Sequence, residues 1–294
     1  MIVDASFYNS GTLIKNFLQE RGIGALKKFG QNFLLNENAR KKIVNALSSY
    51  DTVWEIGPGL GALTYLLQEK TNQLVLFEID YSFVQILKEF FSGLLIIQGD
   101  ALKTIPLFVK QNNTPSAIVS NLPYNVGAHI IGMLIQNSIL PESMVFTLQK
   151  EVVSRMLAKV GSKDYSVFTL VCELDYQMKK VMDIGESSFY PVPNVISSVI
   201  LLQRKKERFY FGKSLDDKDI RAIYFMLAHT LFLSRRKTVK NNLIQGAVQF
   251  GISKEILFDC ATTAGIDLAS RGETVSFLEL WHCATLIYEA KSKR

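Results

Sequence analysis

Glu55-Ile56-Gly57-Pro58-Gly59-Leu60-Gly61 follows the β-rich residues 52–56 and precedes residues 62–69, whose composition is helical. A glycine-rich turn between a strand and a helix lets the backbone come close to a ligand, and the helix start favours a nucleotide-like one. Gly57, Gly59 and Ala62 also satisfy the dinucleotide fingerprint, with Glu78 about twenty residues on, so an NAD-dependent oxidoreductase is one reading of this turn. Upstream, residues 36–47 read as a helix with Asn36 as N-cap and Ala39, Ile43, Ala46 and Leu47 on one face. Downstream, apolar runs at 74–79, 94–98, 117–120, 144–148, 167–173 and 196–202 alternate with helical stretches at 83–91 and from Gln149. With 52–56 they make seven strands. Alternation of this kind predicts a mostly parallel sheet with helices on both faces, because parallel neighbours need right-handed crossovers.

The chain has 294 residues, 48% hydrophobic and 20% charged, enough for a sizeable core in one large or two modest domains. Its net charge of +6 favours a polyanionic partner. Cys172, Cys260 and Cys283 are too few and too far apart for a disulfide framework or a zinc knuckle, so buried free thiols in a reducing compartment are expected. His129, His229 and His282 are equally scattered, which leaves metal catalysis without support. Residues 1–24 lack the continuous apolar core of a signal peptide, and no run approaches the ~20 apolar residues of a membrane span. A cytoplasmic protein is the expectation. Past Leu202 the run Gln203-Arg204-Lys205-Lys206-Glu207-Arg208 and then Asp216-Asp217-Lys218-Asp219 mark a domain boundary. The remainder reads as entirely helical, with Ile220, Ile223, Tyr224, Leu227 and Leu231 at helical spacing and a capping box at Ser276 and Glu279.

Chemistry concentrates at strand ends. Asn121-Leu122-Pro123-Tyr124, directly after the run Ala117-Ile118-Val119, places an amide, backbone carbonyls and an aromatic ring together, a set suited to an exocyclic amine on a flat ring. Glu78 ends the second strand, and Asp100 follows the third in Gln98-Gly99-Asp100-Ala101. With Glu55 before Gly57, Gly59 and Gly61, these positions resemble the class I S-adenosylmethionine-dependent methyltransferases. That resemblance implies a Rossmann-like α/β domain, with Glu78 on the ribose hydroxyls and Asp100 on the adenine amine.

Adding Lys27-Lys28-Phe29-Gly30-Gln31-Asn32-Phe33-Leu34 makes the chain similar to the ribosomal RNA adenine N6,N6-dimethyltransferases, in the branch acting on small-subunit rRNA. Leu148-Gln149-Lys150-Glu151-Val152-Val153-Ser154-Arg155, Phe189-Tyr190-Pro191-Val192-Pro193, Arg235-Arg236-Lys237-Thr238 and Arg271-Gly272-Glu273-Thr274 extend the resemblance to the C-terminus. It implies S-adenosyl-L-methionine held by Gln31, Asn32, Leu34, Gly57, Gly59, Gly61, Glu78, Asp100, Ala101 and Asn121. Asn121, Leu122, Pro123, Tyr124 and Phe189 would form the target pocket, with Tyr124 and Phe189 as its aromatic walls, and no metal is called for. Residues 27–204 would be the methyltransferase domain and 205–294 a small all-helical RNA-binding domain carrying Arg235, Arg236, Lys237 and Lys240, with 1–26 a poorly ordered extension. The implied protein is a monomer that acts on rRNA in an immature small subunit. Alternatives are a large-subunit enzyme of the macrolide-resistance type and a ribosome-assembly factor whose catalysis is secondary. Asn194, Ile196 and residues 159–167 depart from the family pattern on the substrate side.

Overall fold

The computed structural model describes residues 4–23, 31–48, 50–123 and 126–293. Tyr124 and the motif residues 27–30 therefore lie outside the described residues. Contacts divide the chain into two compact units, residues 1–153 with 178–204, and residues 154–177 with 205–294.

The strands β1 Phe33–Leu34, β2 Thr52–Ile56, β3 Gln73–Glu78, β4 Leu95–Gln98, β5 Ala117–Asn121, β6 Ser143–Gln149, β7 Tyr176–Ile184, β8 Phe189–Tyr190 and β9 Ser197–Arg204 all lie in the first unit but for the first two residues of β7. Seven of them form one sheet in the order β4-β3-β2-β5-β6-β9-β7. The pairs from β4 through β6 are parallel, and β9 runs antiparallel to β6. Strand order reverses between β2 and β5, since the chain steps outward to β3 and β4 before returning. A crevice is expected there, at the carboxyl ends of the strands. The sheet core is aliphatic and aromatic, with Val53, Leu76, Val119, Val145 and Val199 among its buried residues.

Asn36 caps the helix Glu37–Asn45 by accepting from the Ala39 N–H, as its sequence predicts. Residues 4–23 correct the expected disordered extension: Asp4 and Ser10 cap the helices Ala5–Tyr8 and Gly11–Glu20. The run at 167–173 is also not a strand. It lies within the helix Val167–Asp175, whose N-terminus carries a Ser166/Thr169 capping box. A short, mostly apolar run shows no clear helical or strand period, and this one, broken only by Thr169 and Glu173, is buried except at Val167, Phe168 and Glu173. The seventh strand is β7 instead, a sheet edge whose Gln177, Lys179 and Lys180 hide it from a hydrophobicity search and guard it against further pairing.

The second unit accordingly takes in 154–177, which the sequence reading assigned to the first domain. Leu170 and Leu174 join a core built by Ile220, Tyr224, Leu227 and Trp281, and the helices Lys218–Leu231 and Phe277–Ser292 supply much of it. Asp175, fully buried, receives both Arg221 Nη atoms at 2.8 Å and Arg208 Nη2 at 2.9 Å. The unit is not entirely helical. Phe209–Tyr210 and Lys213–Ser214 pair as a hairpin across Phe211-Gly212, both with positive φ.

Candidate active site

Two adjoining cavities lie at the carboxyl ends of the parallel strands. The first, about 730 Å³, is lined by Gln31, Asn32, Leu34, Gly57, Gly59 and Glu78, with Glu55 at its floor and Asn121, Leu122 and Pro123 along one side. The second, about 600 Å³, is lined by Gly99, Asp100, Ala101, Leu102, Val126 and Ile130. Gly57, Ile79, Leu122 and Pro123 face both, so the two form a continuous trough.

The walls are built by local rules. After β2 the ladder continues through Gly57 N–H to Phe77 O at 2.8 Å, and Gly59 then adopts φ +57°. A side chain at Gly59 would press on the Phe33 ring as well as straining the backbone. Gly61, at φ +85°, does not line either cavity: a Cβ there would collide with the Phe91 ring, so this glycine permits close packing rather than ligand contact. Glu78 is buried at the end of β3, where Oε2 accepts from Gly59 N–H at 3.0 Å and Oε1 from Asp80 N–H at 2.9 Å. Burial raises its pKa, and the backbone N–H bonds oppose the rise. Glu55, on β2, accepts from Thr64 Oγ1 at 2.6 Å. Complete burial pushes its carboxyl up to about 8, with the like charge of Glu78 adding to the shift.

Asp100 caps the helix Ala101–Phe108 through Leu102 N–H to Oδ1 at 3.0 Å. One carboxylate oxygen thus holds the helix start while the residue lines the second cavity. At the end of β5, Asn121 Nδ2 donates to the Asn32 carbonyl at 2.9 Å. The amide plane is thereby set, with Oδ1 turned away from Asn32. Ser120 next to it donates to the Ile56 carbonyl through a short hydrogen bond, tying β5 to the exit of β2.

Phe189 stands elsewhere than the sequence reading placed it. In β8 it pairs with Leu34 of β1, and both side chains enter the sheet core, leaving Phe189 2% exposed and outside the lining of either cavity. The alternation of a strand sends its neighbour Tyr190, paired with Phe33, to the other side. Phe189 therefore backs the strand that lines the cavity. Sequence reasoning missed Phe33, Leu63, Ile79 and Leu102 as lining residues. Ile79 gave no sequence signal, since it ends the apolar run 74–79; only the structure shows it 44% exposed just after the strand, where it suits the face of a flat ring.

In the second unit the basic cluster is divided. Arg235 donates to the Tyr165 carbonyl at 3.0 Å and the Lys163 carbonyl at 2.7 Å, and pairs with Glu273 at 2.9 Å. It closes a loop rather than standing free. Arg236 is exposed, Lys237 reaches Gln245 at 3.2 Å, and Lys240 lies over the Phe258 ring at 5.8 Å. Among the described residues no group of three or more His, Cys, Asp or Glu is placed to hold a metal ion.

A family model described as ribosomal RNA adenine dimethylase matches residues 24–276. The chain belongs to that family. Among the dimethylase relatives, the ribosomal RNA small subunit methyltransferase A of Borreliella afzelii (strain PKo) is 42% identical over 253 residues, covering 84% of this chain and 85% of its own length. The protein of the same name from Treponema pallidum (strain Nichols) is 35% identical over 276 residues, covering 92% and 94%. A dimethyladenosine transferase from Plasmodium falciparum, a crystal structure, has a TM-score of 0.68 at 25% identity, over 88% of this chain and 97% of that one. The 23S rRNA methyltransferase ErmE has a TM-score of 0.60 at 20% identity, over 87% and 99%, a likeness of fold.

Proposed function

We propose that this protein transfers methyl groups from S-adenosyl-L-methionine to N6 of two adjacent adenosines near the 3′ end of small-subunit ribosomal RNA, giving N6,N6-dimethyladenosine during maturation of the subunit. The observation that carries this reading is Asn121, an amide locked by its Nδ2 onto Asn32 at the end of β5, beside the trough.

The trough fits the cofactor. Its length divides into a compartment with Glu55 and Glu78, suited to cationic and hydroxyl groups, and an apolar slot capped by Asp100 and Leu102, suited to a flat heterocycle with an amine edge. Gln31, Asn32, Leu34, Gly57, Gly59 and Glu78 would hold the amino-acid and ribose ends, and Asp100 with Ala101 the base. The bound sulfonium supplies the electrophilic methyl group.

The residues of this chain do the rest by orientation. Adenine N6 is a weak nucleophile because its lone pair is delocalised into the ring. Asn121 Oδ1 and the Leu122 carbonyl accept its N–H bonds, which favours a localised pair pointing along the trough. Pro123 brings no N–H of its own to compete. Tyr124 gives the stacking face for the flipped base, while Phe189 supports Leu34 from behind. Proximity carries the methyl transfer: the N6–C bond forms as the C–S bond breaks, and the N6 proton is then released to solvent. Arg236, Lys237 and Lys240 neutralise RNA phosphates and position the subunit without reading its sequence.

Mass spectrometry of small-subunit rRNA from cells with and without the protein tests the reading, because it reports target, position and methyl count together. Loss of two adjacent dimethyladenosines on deletion is expected. Transfer of labelled methyl to naked large-subunit rRNA, with none to immature small subunits, would overturn it.

A further inference from the structure

Residues 4–23 lie outside the stretch matched by the family model, yet they pack against both walls of the first cavity. Phe7, Tyr8, Ile14, Phe17 and Leu18 are buried in one cluster with Phe33 and Leu60. Phe33 lines that cavity, and Leu60 belongs to the glycine turn. Apolar packing alone would need rings and methyls. Two polar groups do something more specific.

Tyr8 is 1% exposed, and its Oη donates to the Leu60 carbonyl at 3.1 Å. The glycine turn is therefore held from two sides, by Glu78 on the Gly59 N–H and by Tyr8 on the next carbonyl. Arg40 is 2% exposed and spreads its fork over the same region. Nη1 donates to the carbonyls of Leu34 at 2.8 Å and Leu35 at 2.7 Å, with Tyr8 O at 3.2 Å, and Nη2 donates to Asn9 Oδ1 at 2.6 Å. One guanidinium thus joins the end of the first helix to the strand that lines the cavity. Further along, Arg21 forms a bidentate pair with Glu89, each bond 2.8 Å, fastening the second helix to the helix Tyr81–Phe90.

We propose that residues 4–23 form a clamp that sets the shape of the cofactor cavity, with Tyr8 and Arg40 as positioning residues for the glycine turn and for residues 33–35. Cofactor affinity then depends on a segment outside the stretch that the family model matches. The inference rests on the S-adenosylmethionine reading given above. Neither side chain needs to touch the cofactor, since each acts through a backbone carbonyl of the wall.

The test uses the full-length protein and Tyr8→Phe, which keeps the ring and its burial and removes only the hydroxyl. Calorimetry with S-adenosylmethionine should show affinity weakened by about threefold to tenfold, the effect of one buried hydrogen bond. The cofactor KM should rise by the same factor, while kcat at saturating cofactor and the KM for RNA stay within about twofold. Arg40→Lys keeps the charge and loses the fork, and should give the same split. An unchanged cofactor affinity in both variants, or a fall in melting temperature with the cofactor KM unmoved, overturns the clamp. Wild-type protein that binds no S-adenosylmethionine would overturn the proposed function itself, a result separable from a normal wild type with indifferent variants.

Discussion

Around the glycine turn, the carboxyl groups of Glu55 and Glu78 are buried and hydrogen-bonded, whereas in the basic cluster of the second unit Arg235, Arg236 and Lys240 are all exposed, Arg235 with its guanidinium tied to two backbone carbonyls and Glu273. The two regions handle charge in opposite ways. A small ligand is held by groups oriented before it arrives, so desolvated carboxylates and locked backbone suit it. A phosphate backbone is met by long cations in water, where position matters more than fixed geometry. The comparison also teaches that neighbours within a motif need not share a role, since Arg235, though exposed, ties two backbone carbonyls and Glu273 while the adjacent Arg236 presents its charge to solvent.

The largest effect should come from the pre-oriented side. Asn121→Ala removes the acceptor proposed for the reacting amine and the hydrogen bond to the Asn32 carbonyl, so single-turnover methyl transfer should fall by about 10²–10³-fold. A loss of less than tenfold would mean that the backbone carbonyl of Leu122 alone orients N6, and the contrast between the regions would weaken. On the exposed side the two arginines should separate. Arg235→Ala should lower stability by about 1–2 kcal/mol in denaturant unfolding, because two carbonyls and Glu273 lose a charged partner at a partly exposed site. Arg236→Ala should leave stability within about 0.5 kcal/mol and reduce the salt dependence of RNA binding by about one unit of log–log slope. Equal effects of the two substitutions on RNA binding would erase the distinction drawn between them.

A pH dependence probes the buried carboxyl side of the comparison. Glu55 titrates near 8 in the folded protein and near the ordinary carboxyl value when unfolded, so between those limits the folded state holds a proton that the unfolded chain has released. The contribution is fully present below the unfolded pKa and is lost as pH rises through about 8. Melting temperature should therefore decline from about pH 5 to about pH 8, and Glu55→Gln should flatten that decline. Conversely, a cationic ligand in the same cavity favours the ionised carboxylate, so its affinity should rise over that window. An unaltered slope in the variant would assign the pH dependence to other groups.

Much of this site was legible because strand ends are where local sequence and function coincide. Five parallel strands, the turn at Gly57 to Gly61, Glu78, Asp100 and Asn121 were each readable from a short apolar run and the polar residues at its end. The misreadings have a common cause. Residues 167–173 are apolar but for Thr169 and Glu173, and nothing local says whether such a run twists or extends; the Ser166/Thr169 box and its burial among the helices of the second unit settle it. β7 escaped notice because an edge strand keeps its polar residues. Phe189 was misplaced because its direction depends on which residue of β1 it pairs with, a choice made across more than 150 residues of chain.

The sequence alone determined the alternating α/β order, the positions of the strand-end carboxylates and of the amide, and the family, because these follow from periodicity and from motifs a few residues long. Only the tertiary structure decided that Gly61 serves packing, that Arg235 ties a surface loop, that Phe189 backs the cavity strand, and that residues 4–23 pack on the glycine turn. Each of those outcomes depends on what a side chain meets from a distant part of the chain. Hydrogen bonds such as Tyr8 to Leu60 and Asn121 to Asn32 exist only once folding has brought their partners within about 3 Å.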